Sequence, residues 1–222
     1  MTRGGIGAAS LSRGLASIGL AILVGFSAAA AAHDGQHAKA ALARDGGAPL
    51  TEVDLPDVEL IDRHGRPTNF RADVIGERIV VINFIYTSCS TVCPVSTAIF
   101  GQVQQRLGAR LGEEVVLVSL SVDPVTDRPP RLSAYARRHN AGPGWIWLTG
   151  NKLSVDKLLE GLGAYTPNYR DHPAMVLVGD ARTGRWTRFF GFPSPDQIMS
   201  KVDGLLAARA QTQKLSATAP QR

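Results

Sequence analysis

The sequence predicts an α/β protein in which a central mixed sheet is flanked by helices. Two uninterrupted apolar runs, residues 79–85 and 115–122, are typical of strands that are buried on both faces. Between them, apolar residues recur every three or four positions over residues 95–111, which predicts an amphipathic helix. Buried strands that alternate with helices indicate a mostly parallel sheet covered on both faces.

The chain on either side of these elements extends the predicted order. Residues 58–62 and 68–70 flank a turn and predict an N-terminal β-hairpin. Asp127 or a neighbour is expected to cap a helix that ends near His139. The remaining predicted elements are a strand at 145–148, a helix at 154–162, a strand at 175–179, its hairpin partner at 185–190 and a helix at 194–209.

The chain divides into four predicted segments. These are a signal peptide or N-terminal membrane anchor at 1–32, a flexible linker at 33–50, the folded domain at 51–209 and a disordered tail at 210–222. Within the first segment, residues 14–32 are uncharged and end in an Ala-rich cleavage pattern, yet they are long enough to span a bilayer if uncut. Either outcome predicts an exported protein.

Composition and charge exclude some classes of partner. Hydrophobic residues make up 44% of the 222 residues, which is ordinary for a globular protein. The chain has 24 Lys and Arg against 19 Asp and Glu, a net charge of +5, and two of the positive residues, Arg3 and Arg13, lie in the targeting segment. No basic helix or Arg run with interleaved aromatics is present, so nucleic acid is not an expected partner.

Cys89 and Cys93 are the only cysteines, and they follow the first central strand directly. Their spacing of four predicts that both sulfurs lie on one helical face. A helix N-terminus favours thiolate over thiol, and thiolate is the form that binds soft metals and attacks disulfides. Because an exported protein permits both chemistries, the cysteine pair alone leaves metal binding and thiol exchange open.

The order of elements, with two thiols at the first strand–helix junction and a final strand–strand–helix unit, is the thioredoxin-like arrangement. In that fold, the loop before the strand at 175–179 packs beside the segment that carries the two cysteines. His172 lies on this loop, so it is the candidate for a third metal ligand.

Several motifs together resemble one family. They are Thr87-Ser-Cys-Ser-Thr-Val-Cys-Pro94, Ser121-Val-Asp-Pro-Val-Thr-Asp-Arg-Pro129, Leu148-Thr-Gly150, Asp171-His172 and Phe190-Gly191. In this order and spacing they are similar to the Sco/SenC proteins, which are copper-binding assembly factors for cytochrome c oxidase. The resemblance spans most of residues 55–208.

The resemblance implies that Cys89, Cys93 and His172 bind copper. Two thiolates suit Cu(I), and an imidazole lets the same site hold Cu(II). Asp123 is expected near the site, at the carboxyl end of its strand, although it could equally be a turn residue. Asp171 is expected to orient the ring of His172 by accepting a hydrogen bond from its second nitrogen.

The implied function is a copper chaperone of the bacterial periplasm, either free or anchored to the inner membrane by residues 14–32. Its implied partners are the copper-bearing subunit of cytochrome c oxidase, other periplasmic copper chaperones and, if residues 14–32 are retained, the membrane. The protein would then not be an enzyme.

Pro173 departs from the family pattern, which has a small polar residue after the histidine. A proline at this position is typical of thioredoxin-like oxidoreductases, so a periplasmic thiol–disulfide oxidoreductase that uses Cys89 and Cys93 is the alternative. A peroxidase is less favoured, because the sequence has no arginine beside Cys89. A purely structural disulfide is also disfavoured, since so short a loop gains little stability from closure.

Overall fold

The computed structural model describes residues 50–218. The strands are β1 (Leu50–Thr51), β2 (Glu59–Asp62), β3 (Pro67–Asn69), β4 (Ile79–Ile85), β5 (Val115–Ser121), β6 (Trp145–Thr149), β7 (Met175–Asp180) and β8 (Arg185–Phe190). The helices are α1 (Val92–Leu107), α2 (Pro129–Arg138), α3 (Lys152–Gly161) and α4 (Pro195–Thr218). A π-helical turn covers Phe70–Ile75, and 3-10 turns cover Gly108–Arg110 and Tyr169–Asp171.

All eight described strands form one mixed sheet in the order β1-β8-β7-β4-β5-β6-β2-β3. Parallel pairing is confined to β4 with β5 and β5 with β6, while the other pairs are antiparallel. The α/β class, the mixed sheet and the N-terminal hairpin are therefore confirmed. The expectation of a mostly parallel sheet is wrong, because β7 enters beside β4 in the opposite direction.

Two apolar layers cover the sheet, and β4 contributes to both. Val80, Ile82 and Phe84 point into a layer formed with the π-helical turn and α3. Ile79, Val81 and Ile85 alternate with them and pack beneath α1, α2 and α4. This burial on both faces explains the unbroken apolar run that the sequence displays.

Both ends of the predicted domain need correction. Leu50, which the sequence places in the predicted linker, begins a short strand that pairs with β8. The last helix was expected to end near residue 209 and to give way to a disordered tail at 210–222, but it continues to Thr218. The predicted targeting segment 1–32 and the rest of the linker lie outside the described residues. Within residues 50–218, no helix is long and apolar enough to cross a membrane.

Gly179 offers a test of the packing between β7 and β8. It pairs with Trp186, and a Cβ added at Gly179 would overlap the buried indole ring. We expect Gly179→Ala to lower the free energy of unfolding by about 1–3 kcal/mol, the usual cost of overpacking. Chemical denaturation measures the change.

Gly101→Ala is the matched control, because it lies within α1 and an added Cβ would contact nothing within 4 Å. This variant should be neutral or more stable by about 0.5–1 kcal/mol. Equal effects of the two substitutions would contradict the packing described here.

Candidate metal centre

The cysteine loop, residues 86–91, joins the end of β4 to the start of α1. Cys89 lies in this loop, where its N–H donates to the Tyr86 carbonyl at 3.1 Å. Helix α1 begins at Val92, earlier than predicted, so Cys93 lies in its first turn. The expectation that both cysteines belong to one helical face is therefore wrong: Cys89 precedes the helix.

The two cysteines are nevertheless in contact. The backbone N–H of Cys93 donates to the Cys89 Sγ at 3.4 Å, and the Thr91 hydroxyl lies 3.9 Å from the same sulfur. Both thiols are reduced, and the two residues are 7% and 4% exposed. The helix N-terminus thus directs a hydrogen-bond donor at Cys89, as the sequence predicts for a thiolate site.

Helix α1 is held to the sheet one turn after Cys93 by a buried polar chain. The Asn83 Nδ2 donates to the Ser96 Oγ at 3.1 Å, and the Ser119 hydroxyl donates to the Asn83 Oδ1 at 2.7 Å. The Trp145 indole N–H completes the chain by donating to the Ser119 Oγ at 3.0 Å. Buried and satisfied hydrogen bonds of this kind fix one packing arrangement of the helix.

The two thiols have opposite acidities. Burial acts to raise the pKa of Cys89, but hydrogen bonds from the Cys93 thiol and from the backbone of Cys93 and Thr91 outweigh it and lower this pKa to about 7. Burial raises the pKa of Cys93 to about 12, and its hydrogen bond to Cys89 adds to the increase. At neutral pH the pair therefore contains one thiol that readily ionises and one that stays protonated.

Tyr86 belongs to this site, although nothing in the sequence assigns it a role. Its hydroxyl hydrogen-bonds to Cys89, which helps to lower the cysteine pKa. Burial and this hydrogen bond raise the pKa of Tyr86 to about 12, so the phenol remains a donor. The ring packs edge-on against Tyr169, with centroids 5.1 Å apart. The sequence shows only a tyrosine at the end of a strand, which is no signal of a sulfur contact.

His172 lies on the loop that enters β7, as predicted, and its side chain is mostly buried. The ring packs against Phe84 with centroids 5.3 Å apart, and its Nε2 has no hydrogen-bond partner. Burial lowers the pKa of His172 to about 4, so the imidazole is neutral at pH 7. A neutral imidazole with an unpaired nitrogen retains the capacity to bind a metal.

The three predicted ligands are not assembled into a closed site. Within residues 50–218, no three His, Cys, Asp or Glu side chains are grouped closely enough to hold a metal ion. Cys89 and Cys93 are in contact, whereas His172 lies on the adjacent loop. Two aromatic contacts, Tyr86 with Tyr169 and Phe84 with His172, join that loop to the end of β4 and the start of the cysteine loop.

The two predicted supporting carboxylates are positioned differently from one another. Asp123 is buried, and its Oδ1 accepts from the Thr126 N–H at 3.3 Å, while its Oδ2 has no partner. Asp171 is exposed and accepts from the Asn168 Nδ2 at 3.1 Å. The structure has no hydrogen bond between Asp171 and the ring of His172, so the expected orientation of that ring by Asp171 is not observed.

The sequence predicts that Asp127 or a neighbour caps α2, and in the structure the cap is the neighbour. The N-cap residue is Arg128, and the Asp127 carboxylate is buried beside the cysteine loop. There it accepts hydrogen bonds from Thr87 and Ser121. Arg131 reaches the same loop by donating from its Nε to the Thr87 Oγ1 at 3.3 Å. Neither contact could be predicted from the sequence, because about forty residues separate Thr87 from Asp127 and Arg131.

A family model described as SCO1/SenC matches residues 54–207, which is more than half of the chain. The chain belongs to the SCO1/SenC family. Protein SenC of Rhodobacter capsulatus is 30% identical over 202 residues, which cover 87% of this chain and 89% of that one. A SCO2-like protein of Rickettsia felis is 27% identical over 158 residues, covering 67% and 75% respectively. A Stutzerimonas stutzeri relative is 30% identical over 109 residues, about half of each chain (49% and 52%).

Solved structures of the Sco family have the same fold. ScoI of Bradyrhizobium japonicum with copper bound matches with a TM-score of 0.55 and 24% identity, over 68% of this chain and 95% of that one. BsSco, described as a member of the Sco family of cytochrome c oxidase assembly proteins with a disulfide switch, matches with a TM-score of 0.59 and 21% identity, over 70% and 95%. These structures confirm the predicted thioredoxin-like fold, and the family model confirms the predicted family.

The acidity of Cys89 predicts a pH dependence of alkylation. Because thiolate is the nucleophile, the rate at which iodoacetamide modifies reduced Cys89 should rise with pH and reach half its maximum near pH 7. Cys93 should react far more slowly across the same range, since it is buried and remains a thiol. Peptide mass spectrometry resolves the two sites, and equal rates at pH 7 would contradict the assigned acidities.

Removing the Tyr86 hydroxyl should shift this profile. In Tyr86→Phe the Cys89 thiolate loses a donor, so the midpoint of its alkylation profile should move to higher pH. Tyr165→Phe is the control, because Tyr165 is a more exposed tyrosine, on the segment between α3 and β7. An unchanged midpoint in Tyr86→Phe would show that the phenol does not stabilise the thiolate.

Proposed function

We propose that this protein is a copper chaperone that delivers copper to the dinuclear copper centre of cytochrome c oxidase during its assembly. The observation that carries the proposal is the pair of reduced, contacting thiols together with a partly buried imidazole on the adjacent loop, whose Nε2 has no partner. Membership of the SCO1/SenC family supports it. Copper bound to B. japonicum ScoI and the oxidase-assembly role given for BsSco's family agree with it.

The donors suit copper as the cargo. Thiolate sulfur is the preferred ligand of Cu(I), and imidazole is accepted by both Cu(I) and Cu(II). The third cysteine that a closed zinc site with three sulfurs would need is missing, since Cys89 and Cys93 are the only ones in the chain. Binding would release the proton that Cys93 holds at neutral pH, because a metal-bound cysteine is a thiolate.

His172 would complete the site from the neighbouring loop. Its burial keeps the ring neutral, so no proton needs to leave before its nitrogen binds a metal. Copper binding would require the His172 loop to move toward the two sulfurs, because the three side chains are not grouped within residues 50–218 of the metal-free chain. We assign Cys89, Cys93 and His172 as the ligands on these grounds.

The expected location follows from the same proposal. An exported protein, either free in the periplasm or anchored by residues 14–32, would meet the copper-bearing oxidase subunit and other periplasmic copper chaperones. A SCO1/SenC family lipoprotein of Bacillus anthracis, with a TM-score of 0.57, is consistent with a role at the membrane.

The opposite acidities of the two thiols favour thiol–disulfide exchange as a second candidate function. The Cys89 thiolate would attack a disulfide of the partner and form a mixed disulfide, releasing one partner thiolate. Cys93, after losing its proton, would attack Cys89 and release the second, so that the partner gains two electrons and this chain becomes the disulfide. Pro173 and the disulfide switch described for BsSco agree with such a step.

A copper titration separates the two candidate functions. The reduced chain should bind a single Cu(I), Cys89→Ala should abolish tight binding, and His172→Ala should weaken it by about tenfold or more, or roughly 1.4 kcal/mol. Competition with a chromophoric Cu(I) chelator measures each affinity, and the titration is repeated with Cu(II).

His139→Ala is the matched control, because His139 lies at the end of α2 against Tyr135 and should leave copper affinity unchanged. Stoichiometric binding that is equal in wild type and His172→Ala would contradict the assigned ligand set. Absence of Cu(I) binding together with efficient reduction of a disulfide substrate would favour the oxidoreductase.

A further inference from the structure

Asp127 is a fully buried carboxylate without a cationic partner. Its side chain is 0% exposed, and within residues 50–218 it forms no ion pair. Burial of a charged group is costly unless hydrogen bonds replace its hydration. Asp180 is the contrasting case: it is 1% exposed, and it is neutralised by Arg209 at 2.7 Å. Hydrogen bonds must therefore stabilise the buried charge of Asp127, as Arg209 stabilises that of Asp180.

Most of the hydrogen bonds to Asp127 come from the start of the cysteine loop. The backbone N–H of Thr87 donates to both carboxylate oxygens, at 3.2 and 3.0 Å, and the Thr87 hydroxyl donates to Oδ1 at 2.5 Å. The Ser121 hydroxyl donates to Oδ2 at 2.7 Å. Both oxygens are satisfied, and hydrogen bonds to a charged acceptor are stronger than neutral ones.

These contacts join the cysteine loop to the end of a central strand. Ser121 is the last residue of β5 and lies opposite Ile85, the last residue of β4. The carboxylate therefore bridges the ends of two paired strands at the point where the chain leaves the sheet for Cys89. Thr87 is two residues before Cys89, so fixing its N–H also fixes the turn in which the Cys89 N–H donates to Tyr86.

We propose that Asp127 is a positioning residue for the copper site: its carboxylate holds the cysteine loop in the geometry that presents Cys89 to the metal beside Cys93. The inference rests on the proposed copper function and deepens it. Asp127 touches neither sulfur, and it acts through Thr87. A neutral side chain of the same shape would fill the space but could not accept from Thr87 and Ser121 with both oxygens.

Asp127→Asn tests this role, with Asp180→Asn as the matched control. The control replaces an equally buried carboxylate. Asp180 is the strand partner of Ile79, at the opposite end of β4 from the cysteine loop. We expect Asp127→Asn to weaken Cu(I) binding about 10- to 100-fold, the usual effect of removing a group that orients a metal ligand. Asp180→Asn should leave the affinity unchanged even if it lowers thermal stability as much.

Alkylation of the reduced, metal-free chain supplies a readout that does not depend on copper. Release of the cysteine loop should raise the rate at which iodoacetamide modifies Cys89 in Asp127→Asn and not in Asp180→Asn, with both proteins measured well below their unfolding temperatures. If the wild type binds no copper, the proposed function fails, and this alkylation rate still decides whether Asp127 positions the loop.

If Asp127→Asn does not fold, Thr87→Val tests the same contact. This smaller change removes the hydroxyl that donates to Oδ1 and should weaken Cu(I) binding by about tenfold. Where Asp127→Asn folds, the double variant should be no weaker than Asp127→Asn alone, because both substitutions break one contact. Equal affinities and alkylation rates in Asp127→Asn, Asp180→Asn and the wild type, or additive effects in the double variant, would overturn the proposal.

Discussion

The site depends on one constraint, which is that β4 is paired on both edges and buried on both faces. Parallel pairing with β5 and antiparallel pairing with β7 fix the direction and the end point of this strand. Its carboxyl end therefore delivers the cysteine loop to a defined position. The same pairing brings the loop before β7, which carries His172, to that edge of the sheet. The candidate ligands converge because their strands are neighbours, although they are distant in sequence.

Burial favours the neutral form of all three candidate ligands. It keeps Cys93 protonated and His172 neutral, since a low-dielectric surrounding disfavours either charged form. Cys89 escapes this effect because hydrogen-bond donors from the start of α1 and from Tyr86 stabilise its thiolate. The resting site thus combines one ionisable thiol with two neutral donors. At most one of the three donors therefore carries a charge before a metal ion binds.

The sequence was sufficient for the features that local pattern determines. The apolar runs predicted β4 and β5, and the apolar spacing over residues 95–111 predicted most of the helix between them. It was insufficient where tertiary contacts decide the outcome. Asp127 has the pattern of a helix cap, yet Thr87 and Ser121 turn its carboxylate toward the cysteine loop. Likewise, the position of His172 on its loop was predictable, but the separation of its ring from the two sulfurs was not, because it depends on packing against Phe84.

X-ray absorption spectroscopy at the copper edge of the Cu(I)-loaded chain tests the proposed ligand set most directly. We predict a first coordination shell of two sulfur atoms and one nitrogen atom in the wild type. In His172→Ala, the nitrogen contribution should be lost while both sulfurs remain. A wild-type spectrum with two sulfur atoms alone, unchanged by His172→Ala, would contradict the assignment of His172 as the third ligand.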